Sequence, residues 1–226
     1  MSEARNGVNP AFARIEALTL AARPLIVCDV DEVVLQFIAP LERLMNDAGM
    51  EFIDHRYRLT GNIRHVETGD LASRDEVRAL LHGFFEDHGR LQTPVPGAAD
   101  ALNQLSERAQ VVMLTNMPAR FLTTREEVLA RNGISFPVIV NDGPKGPAVS
   151  ALAERVQAPL VFLDDSPSNL TSVRDTVEEA HIIQFIADPR FFALADPVEG
   201  ARLISNDWTV TRRYIETVIQ KEARSD

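Results

Sequence analysis

The stretch Leu25-Ile26-Val27-Cys28-Asp29-Val30-Asp31-Glu32-Val33 decides how the rest of the chain reads. Four apolar residues run without a break and then stop at a carboxylate. Such a run, bounded by polar residues, predicts a strand buried on both faces, as in a parallel sheet covered by helices. The pattern recurs. Residues 110–114 stop at Thr115, 138–140 at Asn141, 160–163 at Asp164, and 181–186 run into Ala187-Asp188-Pro189. Helical segments fit around and between these strands, over 10–21, 97–109, 147–157 and 170–180, with a last one over 207–219. Another opens on a Thr123/Glu126 capping box and stops at Gly133. Strands alternating with helices predict an α/β fold, a Rossmannoid three-layer sandwich with a central parallel sheet.

One interval breaks the rhythm. Between Asp29 and Gln110 lie about 80 residues, far more than a single crossover needs. Residues 37–48 predict a helix interrupted near Pro40 and stopped at Gly49. Ser73 and Glu76 form a capping box for a second helix that reaches His88 before Gly89. A mixed segment, 50–68, separates them. The expected organisation is a core of 1–33 and 94–226, with a small, mostly helical cap inserted at 34–93.

Composition bounds the partners. The 226 residues fit one large domain or a domain with an insert. A balance of 23 Lys+Arg against 33 Asp+Glu gives a net charge of −10, a poor match to nucleic acid or an anionic membrane. The single cysteine, Cys28, excludes an intrachain disulfide framework, and its apolar neighbours place it in the core. The amino-terminal sequence lacks the basic-then-apolar order of a signal peptide, and no apolar run reaches the ~20 residues of a spanning helix. A cytoplasmic protein is the expectation. A homodimer is left open.

Four polar stations follow four apolar strands: Asp29-Val30-Asp31, Thr115-Asn116, Lys145 and Asp164-Asp165. In an open α/β sheet, ligands bind at the carboxyl ends of the strands. The expected fold therefore gathers four carboxylates, a lysine and a hydroxyl at one edge. A hard divalent cation relieves their mutual repulsion, and Mg2+ is the usual ion where phosphate is also bound. One carboxylate of the Asp-x-Asp pair can attack phosphorus, while the other serves as acid and then base. Lys145, Thr115 and the backbone near Asn116 can hold the phosphoryl oxygens.

These stations resemble the four motifs of the haloacid dehalogenase-like hydrolase superfamily, on its phosphatase side. Leu25 to Val33 is similar to the first motif, and Val111-Val112-Met113-Leu114-Thr115-Asn116 to the second. Lys145-Gly146-Pro147 is similar to the third, and Phe162-Leu163-Asp164-Asp165-Ser166-Pro167-Ser168-Asn169 to the fourth. They stand in the family order and span about 23–187. The resemblance implies Asp29 as nucleophile and Mg2+ ligand. It implies Asp31 as general acid/base, with its backbone carbonyl on the metal. Thr115, Asn116 and Lys145 would bind the phosphoryl group. Asp165 would be the second metal ligand, with Asp164 beside it or acting through water. The 34–93 insert would be a cap that closes over the site.

The implied activity is hydrolysis of a small phosphorylated metabolite through a phospho-aspartate. The alternatives are a phosphomutase of the same superfamily and a catalytically silent metal- and phosphate-binding domain. A dehalogenase, which attacks carbon, has no use for the acid at 31. Within the cap, the basic stretch 54–65 offers His55, Arg56 and Arg58 as contacts to a second part of the substrate. The competing reading leaves this stretch in solvent, with Tyr57 packing the cap. The sequence departs from the family pattern at Glu32, where glycine is common. The expected effect is an added side chain at the turn and an added negative charge near the metal. Pro147 is compatible with a first helical turn.

Overall fold

A computed structural model of the chain describes residues 9–56 and 58–222. In chain order the elements are α1 (Pro10–Ala17), β1 (Leu25–Cys28), α2 (Ile38–Asp47), β2 (Met50–Phe52), β3 (Ile63–His65) and α3 (Arg74–Gly83). They continue with α4 (Ala98–Ser106), β4 (Gln110–Thr115), α5 (Leu122–Arg131), β5 (Val138–Val140), α6 (Gly146–Val156), β6 (Leu160–Asp164) and α7 (Pro167–Thr176). The series closes with β7 (His181–Phe185), α8 (Pro189–Ala193), β8 (Leu203–Ser205) and α9 (Trp208–Glu222).

Six strands form one sheet in the order β5-β4-β1-β6-β7-β8, and every neighbouring pair is parallel. Both faces are covered, which is why the strands read as unbroken apolar runs. Ile26 and Cys28 face the layer of α4, α5 and α9, while Leu25 and Val27 face α1, α6 and α7. The chain builds outward from β1 through β4 to β5, then crosses back to place β6 on the other side of β1. The carboxyl ends of β1, β4 and β6 therefore open at the point where strand order reverses, the place where such sheets bind ligands.

A cap-like region stands over that edge. It comprises α2, the antiparallel pair β2–β3, α3 and a π-helical turn over Phe84–His88. Phe37, Leu41, Met45, Val77, Leu80 and Phe84 pack in one cluster that runs on into Met117, Val140, Ile186 and Phe191 of the main fold. Phe191 joins it to the main sheet, its ring 5.2 Å from that of Phe52.

Some local expectations change. The Ser73/Glu76 capping box forms, but the Thr123/Glu126 box does not. A 3₁₀ turn over Ala119–Phe121 feeds directly into α5, which leaves Thr123 inside the first helical turn. Pro40 does not interrupt α2, because it falls where no intrahelical N–H bond is lost. Helix α1 ends four residues early, where Leu18 turns extended. Helix α7 runs over Pro167–Thr176, shifted toward the amino terminus of the 170–180 span, and begins at Ser166-Pro167, which reads as a helix start. The short α8 and the edge strand β8 carry no periodic signal in the sequence. Trp208 is buried, and its indole N–H donates to the Val33 carbonyl at 2.9 Å, fixing the start of α9 against the turn after β1. Among the described residues, no helix is long and apolar enough to cross a membrane.

Glu32 adopts a left-handed conformation, φ +63°, which explains why glycine suits this turn. The strain of about 1–2 kcal/mol is offset by the side chain. One carboxylate oxygen accepts from the Phe37 and Ile38 N–H groups at 3.0 and 2.7 Å, at the start of α2. The other accepts from the Asp188 N–H at 2.6 Å. Glu32 thus satisfies open donors at a helix start and ties the first cap helix to the loop after β7. It does not simply add charge at the metal edge. Burial raises its carboxyl above the ordinary value, and the three N–H donors pull the other way. Glu32→Gln keeps the volume but offers these donors one oxygen instead of two. Urea denaturation is expected to show a loss of about 1–3 kcal/mol.

Candidate active site

At the centre of the strand-end edge lies a lysine removed from water. Lys145 is fully buried, and its ammonium sits 2.6 Å from Asp29 Oδ1 and 2.7 Å from Asp164 Oδ2. Its backbone is set by close packing of α6 on α7. A Cβ on the next residue, Gly146, would lie 2.4 Å from the Ser172 carbonyl, so only glycine lets the helices approach this closely. Burial by itself would lower the lysine's pKa, but Asp164 and Asp29 overrule it and hold the value above the ordinary one. A buried charge persists only when paired in this way.

Asp164 ends β6 and acts as an anchor. Besides Lys145, it accepts from the Ser166 N–H at 2.9 Å and from the Asn169 amide at 3.1 Å. Asn169 is therefore a support for Asp164. Asp29, Asp164 and Asp165 are all buried, with ligand oxygens within 4.8 Å of one another. Burial pushes the Asp29 carboxyl up to about 7 against the pull of Lys145. Burial, followed by the charge of Asp29, raises Asp165 well above the usual carboxylate range. Ionised together, the three carboxylates would outnumber the one ammonium by two charges, a repulsion that adds to burial in raising Asp29 and Asp165. An all-oxygen donor set with this excess fits a hard divalent cation such as Mg2+.

Thr115 ends β4 in the same cavity. Its hydroxyl is buried and, among the described residues, is the one buried side-chain polar atom without a hydrogen-bond partner. Asn116 also lines the cavity. Its amide donates to the Gly143 carbonyl at 2.9 Å and accepts from Asn141 at 2.9 Å, so the side chain joins the loops after β4 and β5.

Asp31 is not one of the three grouped carboxylates, but it lines the same cavity and its charge acts on Asp29 and Asp165. One guanidinium nitrogen of Arg125 reaches both of its oxygens at 2.9 Å. Gln92 donates to Asp31 Oδ1 at 2.8 Å and to the Gln36 carbonyl at 3.1 Å, while accepting from Arg125 at 3.0 Å. Arg125 and Gln92 are both buried. Sequence reasoning missed both. An arginine in Leu122-Thr123-Thr124-Arg125-Glu126-Glu127 reads as a solvated helix charge, and its partner lies 94 positions away.

The cavity over this edge measures about 600 Å³ and is lined by Asp29, Asp31, Thr115, Asn116, Lys145 and Asp165 from the core side. A larger groove of about 1010 Å³ sits at the opposite ends of the strands, beside Pro24, Leu160 and His181, away from the carboxylate cluster. The chemistry marks the smaller one. Of the three cap residues singled out from sequence, only Arg58 lines it. His55 packs its ring 5.3 Å from that of Phe191, and Arg56 lines a neighbouring groove. Tyr57 lies outside the described residues. Cys28 is buried and points away from any nucleophilic role, its thiol pushed up by burial.

No protein-family model matches the chain, and no curated protein matches it. Solved structures do. A haloacid dehalogenase-like family hydrolase from Streptococcus pneumoniae superposes with a TM-score of 0.58 at 12% identity, covering 86% of this chain and 99% of its own. A hydrolase of the same kind from Bacillus subtilis, bound to magnesium, gives 0.55 at 16%, covering 85% and 98%. An L-2-haloacid dehalogenase gives 0.53 at 11%, covering 86% and 99%. The chain has the haloacid dehalogenase-like fold. At these identities the likeness concerns the fold alone, and the chemistry rests on the cluster just described.

A cation that binds the folded chain and not the unfolded one raises the melting temperature. Millimolar Mg2+ is expected to raise Tm, and Asp165→Asn to abolish the increment. Differential scanning fluorimetry with and without the ion checks this.

Proposed function

We propose that this chain is a Mg2+-dependent phosphate monoester hydrolase that acts on a small phosphorylated metabolite through a phospho-aspartate on Asp29, beneath a cap formed by 34–93. The observation that carries this reading is the Thr115 hydroxyl, buried without a partner in the cavity that also holds Asp29 and Lys145. A buried polar atom left unpaired is costly, and a phosphoryl oxygen is a natural partner for it.

In the first step an Asp29 oxygen bonds to phosphorus as the bond to the leaving oxygen breaks, and Asp31 gives that oxygen its proton. In the second, water attacks phosphorus, its proton passes to Asp31, the bond to Asp29 breaks, and phosphate leaves. Thr115, Lys145 and the backbone beside Asn116 hold the equatorial oxygens. Mg2+ would be held by Asp29, Asp165 and the Asp31 carbonyl, and when bound it supplies charge neutralisation between the carboxylates and the phosphoryl group.

The fold is shared with proteins described as L-2-haloacid dehalogenases, so fold does not choose between carbon and phosphorus. The second acid favours phosphorus: Asp31 stands at the cavity wall with its orientation fixed by Arg125 and Gln92, and a departing ester oxygen needs a proton where a departing halide needs none.

Purified protein with Mg2+ is expected to release phosphate from a panel of phosphomonoesters. Release should vanish with EDTA or Asp29→Asn, and should fall about 10²–10⁴-fold in Asp31→Asn. Absence of release from every ester by folded, Mg2+-bound protein overturns the reading.

Arg125 is a positioning residue for Asp31. Arg125→Met is expected to lower kcat about 10- to 100-fold with KM little changed, because small displacements of a catalytic group cost rate steeply. A purely structural role would lower stability and leave kcat per folded molecule intact.

A further inference from the structure

The two walls of the active-site cavity differ in kind. The core side is polar and charged. The cap side presents Phe37, Leu59, Val77, Leu81 and Phe85. Val77, Leu81 and Phe85 follow one another at intervals of four, so one face of α3 and of the π turn after it looks into the cavity. Phe37 and Phe85 lie with ring centroids 6.5 Å apart and planes 21° apart, and both are buried.

The cap's polar contribution is slight. Arg58 and Thr60 are the polar cap residues among the described residues that line the cavity, and both are exposed. Arg58 also lines the neighbouring groove, which places it at the mouth. No cap carboxylate or amide lines the cavity among the described residues.

From this contrast we propose that the substrate is the phosphate monoester of a small apolar alcohol, with its alkyl or aryl body against α3. The proposal rests on the phosphatase reading above and narrows it. A polyol placed there would surrender its water hydrogen bonds to five side chains that return none. An apolar body gains by leaving water, by about three- to fourfold in binding per methylene. The ester and water give the alcohol and phosphate, by the same two steps through Asp29.

The test compares n-pentyl phosphate with a pentitol phosphate of the same chain length, reading kcat/KM for phosphate release. The polyol is intrinsically the better leaving group, because its hydroxyls withdraw electrons. A preference for the pentyl ester therefore reports binding and not reactivity. The pentyl ester is expected to exceed the pentitol ester at least tenfold, and methyl phosphate to fall below the pentyl ester. Leu81→Gln should narrow the pentyl-to-pentitol ratio at least threefold. Val77→Thr, nearly the same shape, serves as a second variant with the same expected direction should the first fail to fold. Equal or faster release from the pentitol ester overturns the proposal and leaves the phosphatase reading standing. Release from no ester at all, 4-nitrophenyl phosphate included, overturns the phosphatase reading and this inference with it.

Discussion

The ammonium of Lys145, sealed from water between Asp29 and Asp164, is the constraint on which the edge of the sheet depends. A lysine in that position stays charged only because two carboxylates face it, and they stay close only because it stands between them. The strands supply the geometry. β1 and β6 are hydrogen-bonded neighbours, so the residues that follow Cys28 and Leu163 come out side by side. The lysine reaches them from the start of α6, held there by the contact of Gly146 with α7. The negative charge left over is what makes the edge a place for a divalent cation and, beside it, a phosphoryl group.

A second set of bonds links that edge to the cap. Asp31 is held by Arg125 from the core and by Gln92, and Gln92 also bonds the Gln36 carbonyl. Gln36 and Gln92 stand on the two strands of chain that enter and leave the cap region, where Gln36 also donates its N–H to the Thr93 carbonyl at 2.9 Å. The acid/base candidate and the passage between core and cap thus share one hydrogen-bond network.

The layered fold was legible because its strands are buried on both faces and so appear as unbroken apolar runs, each ending on a polar residue at the same edge. Residues at strand ends, such as Asp29, Thr115 and Asp164, could be read from position alone. Arg125 could not, since its burial depends on Asp31 and Gln92, and nothing in its own helix signals them. Glu32 looked like an addition to the metal edge, because its partners, the first turn of α2 and the loop after β7, come together only in three dimensions. Edge strand β8 is three residues long and partly exposed, too short for a periodic signal. The expected Thr123 cap gave way to a 3₁₀ turn, a case of chain entry overriding local propensity. His55 and Arg56 belong to a stretch whose charge was visible but whose facing was not.

Glu32 also constrains how this sequence can drift. Glycine at this position would relax the backbone and at the same step release three N–H groups. Aspartate would be a methylene short of them. The turn is held by a side-chain solution and not a conformational one, so a change that eases the backbone leaves those donors open.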